Sequence, residues 1–111
     1  MGLESTIKKI IDFAVQVAEP EEIILFGSMA TATSNVYSDI DILIILDNGI
    51  DNEECISRIQ NCAREFALKI DVLILSLAAY EREKGIPNSI VKTVEKLGIT
   101  MYKKTRTKVG H

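Results

Sequence analysis

Asp39 and Asp41 stand two residues apart in Ser38-Asp-Ile-Asp-Ile-Leu43, at the head of a run that is otherwise apolar. Side chains two apart along a strand share one face, so both carboxylates point the same way. Two anions held together at the mouth of an apolar strand repel, and burying them uncompensated costs several kcal/mol. A hard divalent cation resolves the conflict, because Mg²⁺ takes oxygen ligands and keeps positions open for water and phosphate. The plain alternative is a pair of solvated strand-end residues. Asp-x-Asp alone does not decide between the two.

Gly27-Ser28 lies upstream, directly after the apolar run of residues 23–26. Glycine lets the backbone approach a ligand closely. Ser28 would begin a short helix to about Thr33, whose free N–H groups and dipole favour an anion. The same residues also suit an ordinary strand-to-helix turn with Ser28 as N-cap. No Gly-Lys-Ser/Thr follows, so this is not a Walker A loop. A third carboxylate, Asp71, interrupts another apolar run, Ile70-Asp-Val-Leu-Ile-Leu75. Unpaired buried acids are rare, so Asp71 either pairs with Lys69 or Arg82 or joins the other two acids around the same metal ions. Chain order excludes two other uses of Asp-x-Asp. In phosphatases that form an aspartyl-phosphate, the apolar strand precedes the acids, whereas here the acids lead. In many sugar-nucleotide transferases, the acids sit in a loop after a strand with no Gly-Ser turn before them.

Helices and strands must position these residues. Ile7, Ile10, Ile11, Ala14 and Ala18 recur at helical spacing, which predicts an amphipathic helix over residues 3–18, stopped by Pro20. Residues 23–26 and 39–46 read as strands, the second apolar on both parities and therefore central, covered on both faces. Asp47-Asn48-Gly49 reads as a turn. Asp51 with Glu54 resembles a capping box ahead of a long helix carrying Ile56, Ile59, Cys62, Ala63, Phe66 and Ala67. Residues 69–75 form a third strand. Pro87 opens a last helix with Ile90, Val91, Val94 and Leu97, ended by Gly98 in the place of a C-cap glycine. Residues 99–102 read as a terminal strand. The order is helix, strand, strand, helix, strand, helix. It predicts an α/β (α+β) fold, a small mixed β-sheet with helices packed on it, since two strands joined without a long helix do not make a purely parallel sheet.

The 111 residues suit one domain, spanning 1–102, large enough to bury a core without staples. Residues 103–111 read as a polar, frayed tail. Its Lys103, Lys104, Arg106 and Lys108 lack interleaved aromatics, which favours a solvated tail over RNA contact. Net charge is −3, which argues against a surface that coats nucleic acid. The longest apolar run, from Ile42 to Leu46, is far too short to span a bilayer, and the first residues do not resemble a signal peptide; the expected location is cytoplasmic. Cys55 and Cys62, seven apart on a helix, lie about 10 Å from each other along its axis, too far for a disulfide, and read as small core residues. The sole histidine is His111, the final residue, so no His-based catalysis is available in the body of the domain.

Taken together, Leu25-Phe-Gly-Ser-Met-Ala30, Ser38-Asp-Ile-Asp-Ile-Leu43 and Ile70-Asp-Val72 resemble the signature of the minimal nucleotidyltransferases (MNT) of the DNA polymerase β-like superfamily, found in archaea and bacteria. The closing Leu97-Gly-Ile-Thr-Met-Tyr102 is similar to the way these domains end, so the resemblance covers about residues 23–102. It implies a polymerase β palm-like nucleotidyltransferase fold. It also implies roles: Gly27 and Ser28 bind the β- and γ-phosphates, and Asp39 and Asp41 form the metal-binding pair. Asp71 is then the third carboxylate, which helps hold the catalytic metal and activates the attacking hydroxyl. The implied reaction is attack of an acceptor hydroxyl on the α-phosphate of a nucleoside triphosphate, ATP by expectation, with release of pyrophosphate. Two Mg²⁺ ions, replaceable by Mn²⁺, would serve it.

One departure stands out. Many relatives continue the Gly-Ser turn with a basic residue, Ala, a second basic residue and Gly. Here Met29, Thr31 and Ala32 occupy the two basic positions and the glycine, and only Ala30 matches. Two cations that would neutralise triphosphate are missing. Family members of this size often act as antitoxins of a small, all-helical HEPN protein, by binding it or by transferring a nucleotide onto it. The resemblance therefore implies a HEPN-type partner and two functions, a Mg²⁺-dependent nucleotidyltransferase or an antitoxin-like binding subunit with weak or no catalysis. A homo-oligomer is left open.

Overall fold

The computed structural model describes residues 3–26 and 40–104. Gly27, Ser28, Asp39, the helix expected after Ser28 and most of the basic tail lie outside the described residues. The elements are α1 (Leu3–Ala18), β1 (Glu22–Phe26), β2 (Ile40–Leu46), α2 (Asn52–Glu65), β3 (Ile70–Ser76), α3 (Leu77–Lys84), α4 (Ile90–Leu97) and β4 (Ile99–Lys103). The strands make one four-stranded sheet in the order β3-β2-β1-β4. β1 runs antiparallel to β2 and β4, while β2 and β3 are parallel. The sheet is therefore mixed, and α2 is the crossover that a parallel pair requires.

β2 organises the core because its two faces feed different layers. Ile40, Ile42, Ile44 and Leu46 pack with Ile10 and Ala14 of α1 and with Cys55, Ile59 and Ala63 of α2. Leu43 and Ile45 pack on the other side with Ile24, Tyr80 of α3, and Val91 and Val94 of α4. Every residue of β2 is buried except Asp41. Each such Ile or Leu contributes about 1.5–3 kcal/mol by leaving water. Burial and the nearby Glu22, Glu95 and Glu81 push the Tyr80 phenol up to about 12, so it stays neutral and acts as packing. Cys55 and Cys62 are free thiols, and burial pushes both upward, away from the thiolate a nucleophile needs. Among the described residues, no helix is long and apolar enough to cross a membrane.

Polar residues fix the helix ends. Asn48 Nδ2 donates to Ala18 O at 2.7 Å and to Glu19 O at 3.2 Å, closing the carbonyl end of α1 from the turn after β2. Asp51 is the N-cap of α2, and its side chain accepts from the Glu54 N–H at 3.1 Å, as the spacing predicts.

Three features differ from the sequence pattern. First, α3 is an additional helix. It places one buried residue, Tyr80, in the core and so has no apolar repeat to reveal it. Its start is set by Ser76, whose side chain accepts from the Ala79 N–H at 3.1 Å. Second, α2 stops before Phe66 and Ala67. Ala67 takes φ 58°, its N–H donates to Arg64 O, and the Leu68 N–H reaches back to Ala63 O. This is a Schellman turn with alanine where glycine is usual, and it leaves Phe66 39% exposed. Third, α4 begins at its N-cap Ser89, which accepts from the Lys92 N–H, and not at Pro87. Gly98 ends α4 with φ −82°, so no left-handed turn demands it. A Cβ there would lie 2.5 Å from both Ile24 Cγ2 and Val94 O. Space, not backbone freedom, requires glycine.

The Ala67 turn yields a prediction. A left-handed alanine costs about 1–2 kcal/mol, whereas glycine adds roughly 0.4–1 kcal/mol of unfolded-state freedom. Ala67→Gly should therefore raise stability by about 0.5–1 kcal/mol, read from the urea midpoint at unchanged m-value. A lower midpoint would show that the alanine turn carries no strain.

Candidate functional site

Three strands meet at one end of the sheet. β1 finishes at Phe26, β2 starts at Ile40 and β3 starts at Ile70. The register pairs Phe26 with Asp41, and Asp41 with Asp71. Adjacent strands lie about 4.8 Å apart and paired residues share a face, so Phe26, Asp41 and Asp71 form one row across three strands. Gly27 is the next residue after Phe26 in the chain, and Asp39 is the residue before Ile40. This end of the sheet is thus where the chain leaves for, and returns from, the segment holding Gly27, Ser28 and Asp39.

The surroundings of the two acids follow from layer geometry. Asp41 shares parity with Leu43 and Ile45, and Asp71 with Leu73 and Leu75, all four of which pack in the layer covered by α3 and α4. The acids lie one pleat before that layer begins. Asp41 is half-buried and Asp71 exposed. The apolar run around Asp71 thus hides an exposed acid at the start of β3, an edge strand among the described residues, and burial does not force a partner on it.

The donor set suits a hard cation. Like charges directly opposite on neighbouring strands destabilise a sheet by up to about 1 kcal/mol, and carboxylate oxygens are the ligand type that Mg²⁺ takes. Among the described residues no group of three candidate ligands forms; Asp41 and Asp71 are two, and the third expected acid, Asp39, lies outside them.

One positioning residue belongs to none of the sequence motifs. Gln60 Nε2 donates to Ile70 O at 3.3 Å, tying α2 to the residue before Asp71. A polar residue next to Ile59 on an otherwise amphipathic helix was the only available sign of it.

Residues 8–105 match the family model described as polymerase beta, nucleotidyltransferase. No curated protein matches the chain. Among solved structures, it is similar to a Sulfolobus solfataricus protein assigned as a nucleotidyltransferase, at 22% identity and TM-score 0.57, with 90% of this chain and 79% of that chain covered. It is also similar to a toxin–antitoxin complex containing AMP-PNP, at 18% identity and TM-score 0.56, covering 87% and 73%. A third is a Shewanella oneidensis complex of tri-AMPylated HEPN toxin with MNT antitoxin, at 17% identity and TM-score 0.56, covering 87% and 70%. At these identities the likeness is one of fold.

The paired acids predict a stability effect. In metal-free buffer, Asp71→Asn removes one of two facing charges and should raise stability by a few tenths to about 1 kcal/mol. Raised ionic strength should shrink that gain, because Asp71 is exposed to screening ions. Thermal melts in chelator at low and high salt measure it, and a destabilised Asp71→Asn would mean that the carboxylates do not repel.

Proposed function

Since the chain belongs to the polymerase β nucleotidyltransferase family, we propose that it moves a nucleoside monophosphate from ATP to an acceptor hydroxyl, releasing pyrophosphate. The observation that carries this reading is the register that sets Asp41 beside Asp71 at the end of the sheet where β1 gives way to Gly27-Ser28. In it, Asp39, Asp41 and Asp71 would hold two Mg²⁺ ions, for which Mn²⁺ could substitute. When bound, the ions would neutralise phosphate charge as the bond to the leaving pyrophosphate breaks. Gly27 and Ser28 take the β- and γ-phosphates through backbone N–H groups and the Ser28 hydroxyl. Asp71, the exposed member of the pair, accepts the proton of the acceptor hydroxyl as that oxygen attacks the α-phosphorus. The rest is positioning.

The proposed acceptor is a helical HEPN-type protein, a choice supported by the toxin–antitoxin complexes among the structures of similar fold. A second reading, an antitoxin-like subunit that binds this partner with little catalysis, draws on Met29, Thr31 and Ala32, which stand where many relatives carry two cations and a glycine.

Incubating protein and partner with α-labelled ATP and Mg²⁺ separates the two. The transferase should label the partner, and Asp71→Asn should slow labelling by about 10²–10⁴-fold, roughly 3–5 kcal/mol of barrier, with partner binding intact. Equal labelling by Asp71→Asn would remove it from the chemistry. Full neutralisation of the toxin by Asp71→Asn without nucleotide would favour the binding subunit.

A further inference from the structure

A cavity of about 300 Å³ adjoins Asp71 where the last turns of α2 pass the start of β3. It is lined by Gln60, Arg64, Leu68, Lys69, Ile70 and Asp71. Gln60 and Arg64 are four apart on α2 and so lie on one face of the helix. We propose that this cavity is the acceptor subsite, in which Arg64 and Lys69 bind an acidic side chain of a polypeptide next to its nucleotide-accepting hydroxyl. The proposal rests on the transferase reading above and adds what the polypeptide acceptor carries beside its hydroxyl.

Three observations support it. Arg64, Lys69 and Asp71 all line the cavity, and Asp71 is the residue assigned to the acceptor hydroxyl. Arg64 Nη1 donates to Asn61 Oδ1 at 3.0 Å, which steadies the guanidinium and leaves its other N–H donors for a ligand. The outer edge of β3 is also unpaired among the described residues, since β3 ends the sheet. Ile40 donates to Lys69 O, so the Lys69 carbonyl faces β2, while Ile70 O faces outward to Gln60. By the alternation of a strand, the backbone of Val72 also faces outward, where an extended peptide can pair with it.

A polypeptide fits better than a nucleic acid. The chain carries net charge −3, which repels a polyanion at long range, and the cavity is sized for one or two side chains. A single acidic group gains from the two local cations without that wider cost.

The test uses three synthetic peptides, each with one tyrosine, one serine and one threonine, flanked by glutamates in the first, by glutamines in the second and by lysines in the third. Amide NMR spectra of the full chain are titrated with each peptide and, separately, with a short oligothymidylate. The glutamate peptide should shift the signals of residues 60–72 and bind at least about tenfold tighter than the glutamine peptide, as expected for a charge-assisted hydrogen bond. Arg64→Ala should abolish that preference while ATP affinity stays unchanged. Arg64→Glu should transfer the preference to a lysine-flanked peptide, a gain that an unfolded variant cannot produce. Equal affinity for the glutamate and glutamine peptides would overturn the proposal, as would shifts in this region from oligothymidylate alone. Label transfer from ATP to the peptides keeps the two claims apart. Transfer without a glutamate preference sinks the subsite and spares the reaction. Arg64-dependent binding without transfer sinks the reaction and spares the anion pocket.

Discussion

The parallel register between β2 and β3 is the constraint on which the site depends. It sets Asp41 opposite Asp71, and the apolar pattern enforces it. Sliding β3 by one residue would turn Asp71 to the face that holds Ile70, Val72 and Ile74 against α1 and α2. A one-residue slip reverses the whole strand, so an unpaired acid would enter the core while Leu73 and Leu75 changed sides. The cost of burying that acid is several kcal/mol, comparable to the stability of the whole domain. Core packing therefore selects the register, and the register brings the carboxylates together. No contact within the site needs to hold them.

α2 converts this constraint into a length requirement. β2 has 7 residues and covers about 23 Å at 3.3 Å per residue. α2 has 14 residues and covers about 21 Å at 1.5 Å per residue. The helix returns the chain to the end of the sheet from which β2 set out, so β3 starts beside Ile40. Asp51 fixes where the helix begins and the left-handed Ala67 where it stops. A helix that continued through Phe66 and Ala67, as their apolar spacing suggests, would overshoot the start of β3. The strain at Ala67 is the local cost of ending the crossover at the right place.

Most of the fold was legible because its elements bury stripes. α1 shows its repeat in Ile7, Ile10, Ile11, Ala14 and Ala18, and β2 shows a strand apolar on both parities. α3 was not legible, because one buried tyrosine followed by Glu81, Arg82, Glu83 and Lys84 makes no period. Pro87 drew attention from the real cap at Ser89, since both are start signals two residues apart. Gly98 sits where a C-cap glycine belongs but serves close packing against Ile24, a tertiary contact no local pattern contains. At the site, Asp41 and Asp71 were each visible as an acid breaking an apolar run. Their pairing was expected only as one of two alternatives and through the family resemblance, not from any local pattern, because register is a relation between strands separated by a helix. Gln60 showed only as a polar residue beside Ile59, because its bond to Ile70 O joins a helix to a strand ten residues on. Gly27, Ser28 and Asp39 lie outside the described residues and stand on sequence alone.

The proposed function requires the end of the sheet where Asp41 faces Asp71 to gather a divalent cation. Mn²⁺ titration followed by paramagnetic broadening of amide signals tests it most directly. At low Mn²⁺, signals of Phe26, Asp41 and Asp71 should vanish first, while those of Glu22, Leu46 and Ser76 at the far end of the same strands stay sharp. Asp41→Asn should remove the selectivity. Broadening that spreads evenly over the surface, or begins at Glu22 and Ser76, would contradict the account.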